Sequence, residues 1–168
     1  MGKLFFRYGA MGSSKTANLL MAHYNFQERG RRPIILKPKM DLRDGEKIVK
    51  SRIGLQASCT LIEEFEMKEG AYDAILVDEA NFLTEAQVDW LAEICDTYDI
   101  PVLCYGLKTD FQGRLFEGSK RLLELADAIE EIPTICWCGK KARFNARIRD
   151  GRIVRDGEQI MLGANDMY

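Results

Sequence analysis

The sequence predicts an α/β fold in which helices flank a central parallel sheet. Short apolar runs alternate with helical patterns, glycine-bearing or acidic segments follow those runs, and the alternation stops near residue 133. Alternating strands and helices form parallel sheets through right-handed crossovers, and ligands bind at the carboxyl ends of the strands. We therefore expect a core domain over residues 1–132 and a small β-rich domain over residues 133–168.

The predicted elements of the core follow from residue type and period. Apolar runs predict strands at 4–8, 33–37, 73–77, 101–106 and 129–135. Helical spacing predicts a first helix over about 15–29, which Gly30 ends, and another helix over 61–68. The polar segment 38–52 has no period and is expected to be a long loop.

The second half of the chain has clear start and turn signals. Thr84 and Gln87 form a capping-box pattern at the start of a helix, and a shorter helix is predicted over 120–126. A turn at 149–151 indicates a hairpin in the tail. The predicted strands of the tail are 142–148, 152–154 and 158–162.

Composition excludes several classes of function. The 168 residues are 46% hydrophobic, which suits one globular core, and the net charge is −2. Neither a bilayer-spanning apolar run nor a secretory leader is visible, so we expect a cytoplasmic protein that does not contact membranes. The interspersed charges provide no basic surface for nucleic acid. Five cysteines, an odd number, argue against a disulfide framework.

A phosphate-binding loop is predicted between the first strand and the first helix. Lys15 would reach the β- and γ-phosphates of a nucleotide, and the Thr16 hydroxyl would hold Mg²⁺. An ordinary turn before a helix would not require lysine and threonine in these places. Ser14 stands where the standard pattern has glycine, which permits a closer backbone approach. The loop comprises Gly9, Ala10, Met11, Gly12, Ser13, Ser14, Lys15 and Thr16.

Two carboxylates, Asp78 and Glu79, follow the third predicted strand. In P-loop enzymes such an aspartate lies beside Mg²⁺, and a neighbouring glutamate can act as general base towards an attacking hydroxyl. Acids also end ordinary strands, but the lysine–threonine pair in the same chain favours the functional interpretation. The carboxyl ends of the strands should bring Gly9, Asp78 and Gly106 together.

Over essentially its whole length, the sequence resembles the P-loop thymidine kinases shared by many bacteria and animals. The resemblance rests on segments that are specific in order and spacing: 9–16, Asp41-Leu42-Arg43, Ser51-Arg52-Ile53-Gly54, 78–83, 102–111, 134–142 and 163–168. It implies a RecA-like P-loop NTPase core and a small C-terminal domain that carries a zinc site and a flexible segment called the lasso.

The resemblance implies transfer of the γ-phosphoryl group of ATP to the 5′-hydroxyl of thymidine, which gives dTMP and ADP. Glu79 would be the base, and Arg43 would face the transferring group. Asp78 would lie in the outer shell of Mg²⁺. ATP would be bound by loop 9–16 with Asp78, Glu79, Ala80 and Asn81. The nucleoside would contact Phe82, Leu107, Phe111, Phe116, Met161, Gly163 and Tyr168.

The lasso is expected around residues 160–168, where backbone amides could match the thymine edge without loss of side-chain entropy. Cys136 and Cys138 match the first zinc-ligand pair of the family. No Cys or His follows them, and two thiolates cannot complete a tetrahedral site. Three explanations are therefore open: the chain is truncated, other ligands or water complete the zinc site, or zinc is absent. Asn81 replaces the glutamine of many relatives and preserves the amide.

Two other classes of function compete with the kinase. An ATP-binding regulatory module would share the loop and is favoured by Ser14, but it would not need a base at Glu79. A nucleic-acid-binding ATPase would share the core layout, yet no basic groove is identifiable. The resemblance also implies feedback inhibition by dTTP and a homotetramer.

Overall fold

The computed structural model describes residues 2–11, 14–39, 47–134, 140–150, 152–157 and 159. In chain order the elements are β1 (Leu4–Tyr8), α1 (Lys15–Glu28), β2 (Pro33–Lys37), β3 (Ile48–Lys50), β4 (Gln56–Ser58), β5 (Thr60–Leu61), β6 (Ala74–Val77), α2 (Glu85–Tyr98), β7 (Val102–Gly106), α3 (Glu117–Leu125), β8 (Ala128–Glu131), β9 (Arg147–Arg149) and β10 (Arg152–Val154). Short 3₁₀ turns lie at Ile62–Glu64 and Ala80–Phe82. None of these helices has the length and apolar character that a bilayer crossing requires.

A six-stranded parallel sheet with the order β5-β2-β6-β7-β1-β8 occupies the centre of the fold. The two middle strands, β6 and β7, are buried at every residue. Parallel strands covered by helices on both faces have this continuous apolar character. The α/β prediction is therefore confirmed, and β1, β6 and β7 end side by side at one edge of the sheet.

Two apolar clusters cover the two faces of this sheet. Helices α2 and α3 pack over a cluster that includes Val77 and Cys104, whereas α1 packs over a cluster that includes Leu76 and Tyr105. Neighbouring residues of a strand point to opposite faces, so Leu76 and Val77 belong to different clusters. Packing on both faces fixes the positions of the strand ends, and hence of the loops that follow them.

Several sequence predictions for the core are confirmed. The first helix covers Lys15–Glu28, close to the predicted range. The capping box of α2 is complete: Gln87 N donates to Thr84 Oγ1 at 3.1 Å, and Thr84 N donates to Gln87 Oε1 at 3.0 Å. Helix α3 begins at Glu117, three residues before the predicted start.

Two predictions for the segment between β2 and β6 are wrong. The predicted helix over 61–68 is a single 3₁₀ turn, because Ile62 and Phe65 are both buried in the core and the chain is extended at Phe65. The predicted loop 38–52 contains β3, which pairs with β4 in an antiparallel hairpin. Only Val49 of β3 is buried, so this strand carries little apolar pattern.

The tail forms the predicted hairpin. Strands β9 and β10 pair antiparallel, and Asp150 adopts φ 51° in the turn between them. The first tail strand is shorter than predicted, as is β8, which covers Ala128–Glu131 rather than 129–135. The third predicted tail strand, 158–162, lies outside the described residues except for Gln159.

Candidate active site

The loop between β1 and α1 begins beside the end of β7. Gly9 N donates a hydrogen bond of 3.2 Å to the carbonyl oxygen of Gly106. Ser14 precedes α1 with φ −83°, and its carbonyl oxygen accepts from Asn18 N at 2.8 Å. Because this φ is negative, the position does not need the left-handed conformation that glycine would favour. Gly12 and Ser13 lie outside the described residues.

Lys15 lies at the start of α1 and is close to two carboxylates. Its Nζ donates to the carbonyl oxygen of Ala10 at 2.9 Å. Burial lowers the pKa of Lys15 to about 8; the negative charges of Glu79 and Asp78 oppose that shift, and the positive charge of Arg52 adds to it. At pH 7 most of the lysine is still protonated and able to neutralise phosphate oxygens. The structure therefore brings Lys15 and the predicted acid pair together.

Thr16 and Asp78 face each other across the space between α1 and β6. Thr16 Oγ1 lies 3.5 Å from Asp78 Oδ1 and 3.4 Å from Asp78 Oδ2. Asp78 is 7% exposed at the end of β6, and its backbone N–H donates to the carbonyl oxygen of Leu36 at 2.9 Å. A hydroxyl and a carboxylate in this arrangement are oxygen ligands of the kind that Mg²⁺ takes together with nucleotide phosphates.

Glu79 has an unusual backbone conformation. Its φ of 53° and ψ of 39° place it in the left-handed region, where residues other than glycine are uncommon. The 3₁₀ turn that follows holds it in place, because Phe82 N donates to the Glu79 carbonyl oxygen at 3.0 Å. The turn is itself fixed by α3: a Cβ at Gly118 would lie 2.5 Å from the carbonyl oxygen of Ala80. Strained residues of this kind cluster at functional sites.

Asn81 ties the 3₁₀ turn to the end of β7. Its Oδ1 accepts from Leu107 N at 3.1 Å, and the residue is 1% exposed. A Cβ at Gly106 would lie 2.8 Å from both the N and the Oδ1 of Asn81, so only glycine fits there without displacing the turn. The Asn81 Nδ2 has no hydrogen-bond partner among the described residues. This contact fixes Leu107, one of the predicted nucleoside-binding residues.

Four of the predicted nucleoside-binding residues are described, and they lie close to this edge of the sheet. The rings of Phe82 and Phe116 pack edge to face with centroids 5.8 Å apart. Phe116 is 5% exposed and Phe111 is 6% exposed. Ser119 Oγ donates to the carbonyl oxygen of Leu107 and so joins α3 to the same loop. We call Phe82, Leu107, Phe111 and Phe116 the apolar wall: Phe82 belongs to the 3₁₀ turn that follows the acid pair, and the other three follow β7.

Other predicted site residues lie outside the described part of the chain. They are Arg43, Cys136, Cys138, Met161, Gly163 and Tyr168. Within the ranges that the structure describes, no cluster of three or more His, Cys, Asp or Glu side chains could hold a metal ion. The zinc prediction therefore remains a prediction.

Sequence reasoning missed two contacts made by the tail. Met11 N, in the phosphate loop, donates to Asn145 Oδ1 at 2.7 Å. Arg147, two residues further on, stacks over the ring of Phe111. A spacing of two residues in an extended segment is the one signal for a shared face, but it gives no indication of the partners. The tail thus reaches both the phosphate loop and the apolar wall.

The fold and the polar groups at this edge define the class of P-loop nucleotide-binding proteins, in which the lysine and hydroxyl of the loop face an aspartate from a neighbouring strand. Within that class, the chain belongs to the thymidine kinase family, whose sequence profile matches residues 2–168.

Bacterial thymidine kinases are similar to the whole chain. The protein from Xanthomonas oryzae pv. oryzae is 48% identical over 179 aligned positions, which cover 100% of this chain and 86% of that protein. The Rhodopirellula baltica protein is 44% identical with 84% of its length covered, and the Pasteurella multocida protein is 46% identical with 93% covered. The crystal structure of a DNA replication initiation factor superposes on this chain with a TM-score of 0.48 and 20% sequence identity. The match covers 79% of this chain and 40% of that protein, and the family assignment does not depend on it.

Proposed function

We propose that this protein is an ATP-dependent thymidine kinase that transfers the γ-phosphoryl group to the 5′-hydroxyl of thymidine. One observation carries the proposal: Lys15, Asp78 and Glu79 lie together at the carboxyl edge of the sheet, in a chain of the thymidine kinase family. A regulatory nucleotide-binding module would not require a glutamate held at this place. Family membership and the position of Glu79 together favour the enzyme.

Each polar side chain of the site has a role in the proposed transfer. Lys15 neutralises charge on the β- and γ-phosphates. Backbone N–H groups of loop 9–16 surround them, except those of Gly9 and Met11, which donate to Gly106 and Asn145. Thr16 and Asp78 fit Mg²⁺, which when bound would neutralise charge on the phosphates of ATP. Glu79 orients the 5′-hydroxyl and accepts its proton as the new bond to phosphorus forms. ADP leaves with the bridging oxygen of the γ-phosphate.

In this proposal the nucleoside binds against the apolar wall. Phe82 and Phe116, whose rings pack together, contact the nucleoside along with Leu107 and Phe111, and these apolar groups exclude water from the reacting hydroxyl. Backbone groups of the lasso at 160–168, with Met161, Gly163 and Tyr168, complete the recognition of thymine. Arg43 acts on the transferring phosphoryl group as a charge clamp.

Four further features belong to the proposal as expectations from the family. They are feedback inhibition by dTTP, a cytoplasmic location, a structural zinc ion with Cys136 and Cys138 among its ligands, and a homotetramer. A surface groove of about 550 Å³ between α1 and the β3–β4 hairpin is available for contact with another molecule. Apolar side chains along it are exposed, Met21 to 56% and Tyr24 to 59%, as expected of an interaction surface.

A phosphate-transfer assay tests the proposed function. The purified chain is incubated with γ-labelled ATP, Mg²⁺ and a panel of nucleosides, and labelled products are separated. With thymidine we expect the label in dTMP. With a purine nucleoside in its place we expect no labelled nucleoside monophosphate. Label transfer to no nucleoside, with ATP binding intact, would refute the kinase and favour the regulatory module.

A further inference from the structure

Arg147 is the centre of the contact between the tail and the loop that follows β7. Its guanidinium carbon lies 3.8 Å from the centroid of the Phe111 ring. The exposed fraction is 5% for Arg147 and 6% for Phe111. A guanidinium stacked on an aromatic face is attracted by the ring quadrupole, and the attraction grows when water is excluded. The arginine therefore restrains the orientation of the ring.

The backbone at Gly157 lies close to this stack. A Cβ at Gly157 would lie 2.9 Å from Arg147 Nη1, and Gly157 adopts φ 134°. A side chain at this position would strain the backbone and press on the guanidinium. The same Cβ would lie 4.0 Å from Phe111 Cζ, so glycine lets the backbone approach the edge of the stack beside both Arg147 and Phe111.

The loop that carries Phe111 is also fixed by its own hydrogen bonds. Asp110 Oδ1 accepts from Gln112 N at 2.8 Å and from Arg114 N at 3.0 Å. Asp110 Oδ2 accepts from Gln159 Nε2 in the tail at 3.0 Å. With the backbone of the loop held in this way, the stack on Arg147 restrains the direction of the Phe111 ring.

We propose that Arg147 is a positioning residue for the nucleoside, acting through the Phe111 ring. The inference rests on the proposed function, which places Phe111 in the nucleoside wall. The phosphate loop is attached to the end of β7 through the hydrogen bond from Gly9 N to the Gly106 carbonyl oxygen, which does not involve Arg147 or Phe111. Loss of the stack should therefore weaken the binding of thymidine and leave the binding of ATP nearly unchanged.

Steady-state kinetics of three variants test this role. Arg147→Met removes the charge and the planar face at similar size, and we expect KM for thymidine to rise about tenfold while KM for ATP changes less than about twofold. Arg147→Lys keeps the charge without the planar face, so it should restore little of the loss. Arg149→Met, at an exposed position of the same strand, is the matched control and should leave both constants unchanged.

A merely structural role would give a different result. It would reduce the amount of active enzyme, so kcat would fall while both KM values stayed the same. Thermal unfolding shows whether each variant is folded. If Arg147→Met does not fold, Arg147→Lys and Phe111→Leu replace it in the test. Each of these two variants should raise KM for thymidine and leave KM for ATP nearly unchanged. Wild-type kinetics from folded Arg147→Met, or from Arg147→Lys, would overturn the role. An inactive wild type would instead refute the proposed function itself.

Discussion

At the scale of single residues, the backbone of Glu79 is the feature that most needs an explanation. A left-handed conformation costs a residue with a side chain about 1 kcal/mol or more, and the surrounding structure must compensate for it. The Glu79 carbonyl oxygen accepts from Phe82 N, which fixes the peptide unit after Glu79, and Asp78 N donates to the Leu36 carbonyl oxygen, which holds the chain one residue earlier. This conformation turns the chain out of β6 and leaves the carboxylates of Asp78 and Glu79 both close to Lys15.

Glu79→Gln should therefore preserve the fold and remove the proposed base. We expect phosphoryl transfer to thymidine to fall by about 10²–10⁴-fold, because a general base contributes a factor of this size. ATP binding, measured by calorimetry, should change little, since glutamine has the same shape and Lys15 and Thr16 are intact. Turnover close to that of the wild type would show that Glu79 is not the base.

The residues of the candidate site differ in how far the sequence reveals them. Lys15 and Thr16 belong to a local pattern with a known mechanism, and the acid pair directly follows an apolar strand. Arg52 acts on Lys15 from a hairpin whose apolar pattern is weak, so sequence does not show the proximity. The fit of Gly106 against Asn81 depends on two elements that only the fold brings together.

At the scale of elements, segment 145–147 is the connection between the two halves of the site. Asn145 accepts a hydrogen bond from the phosphate loop at Met11, and Arg147 stacks on Phe111, a residue of the proposed nucleoside site. These partners lie 134 and 36 residues away along the chain. Local propensity contains no information about contacts of such separation, which is why the sequence predicted the hairpin but not its role.

Asn145→Ala should affect ATP rather than thymidine. Loss of the acceptor leaves the Met11 N–H without this protein partner and loosens the phosphate loop, so we expect KM for ATP to rise about threefold to tenfold. KM for thymidine should change by less than about twofold. Kinetics with each substrate varied in turn would test this, with Arg149→Met as the control. An unchanged KM for ATP would contradict the prediction.

The capping box of α2 makes a separate prediction about stability. Thr84→Ala removes the acceptor for Gln87 N and should lower the free energy of unfolding by about 1 kcal/mol. Thr84→Ser keeps the hydroxyl and should stay close to the wild type. Urea denaturation of both variants measures the difference, and equal midpoints for the two would mean that the cap contributes nothing.

At the scale of the whole molecule, the central sheet was predictable because buried parallel strands read as continuous apolar runs. The order of the strands was not, since residue patterns do not encode which strands pair. The short 3₁₀ turn at Ile62–Glu64 was mistaken for a helix because an apolar residue every three positions fits both. The grouping of Gly9, Asp78 and Gly106 was predictable because a parallel topology brings the carboxyl ends of the strands to one edge of the sheet.

Burial in the core predicts low thiol reactivity for Cys95 and Cys104. Burial raises the pKa of the Cys95 thiol to about 11 and raises that of Cys104 further, so both are almost entirely protonated at pH 8. The thiolate is the reactive form, and we expect alkylation of both in the native protein to be at least about 100-fold slower than in urea. Peptide mapping by mass spectrometry measures each rate. Equal rates in the two states would contradict the burial of these thiols.

The bond between Met11 and Asn145 has a consequence for the order in which the protein matures. During synthesis the central sheet can be completed only after β8, which ends at Glu131, has left the ribosome, because β1 pairs with β7 and β8; Asn145 leaves after that strand. A nascent chain could thus possess its sheet while the phosphate loop still lacked one of its attachments. Full competence for ATP would then arrive late, with the docking of the final hairpin.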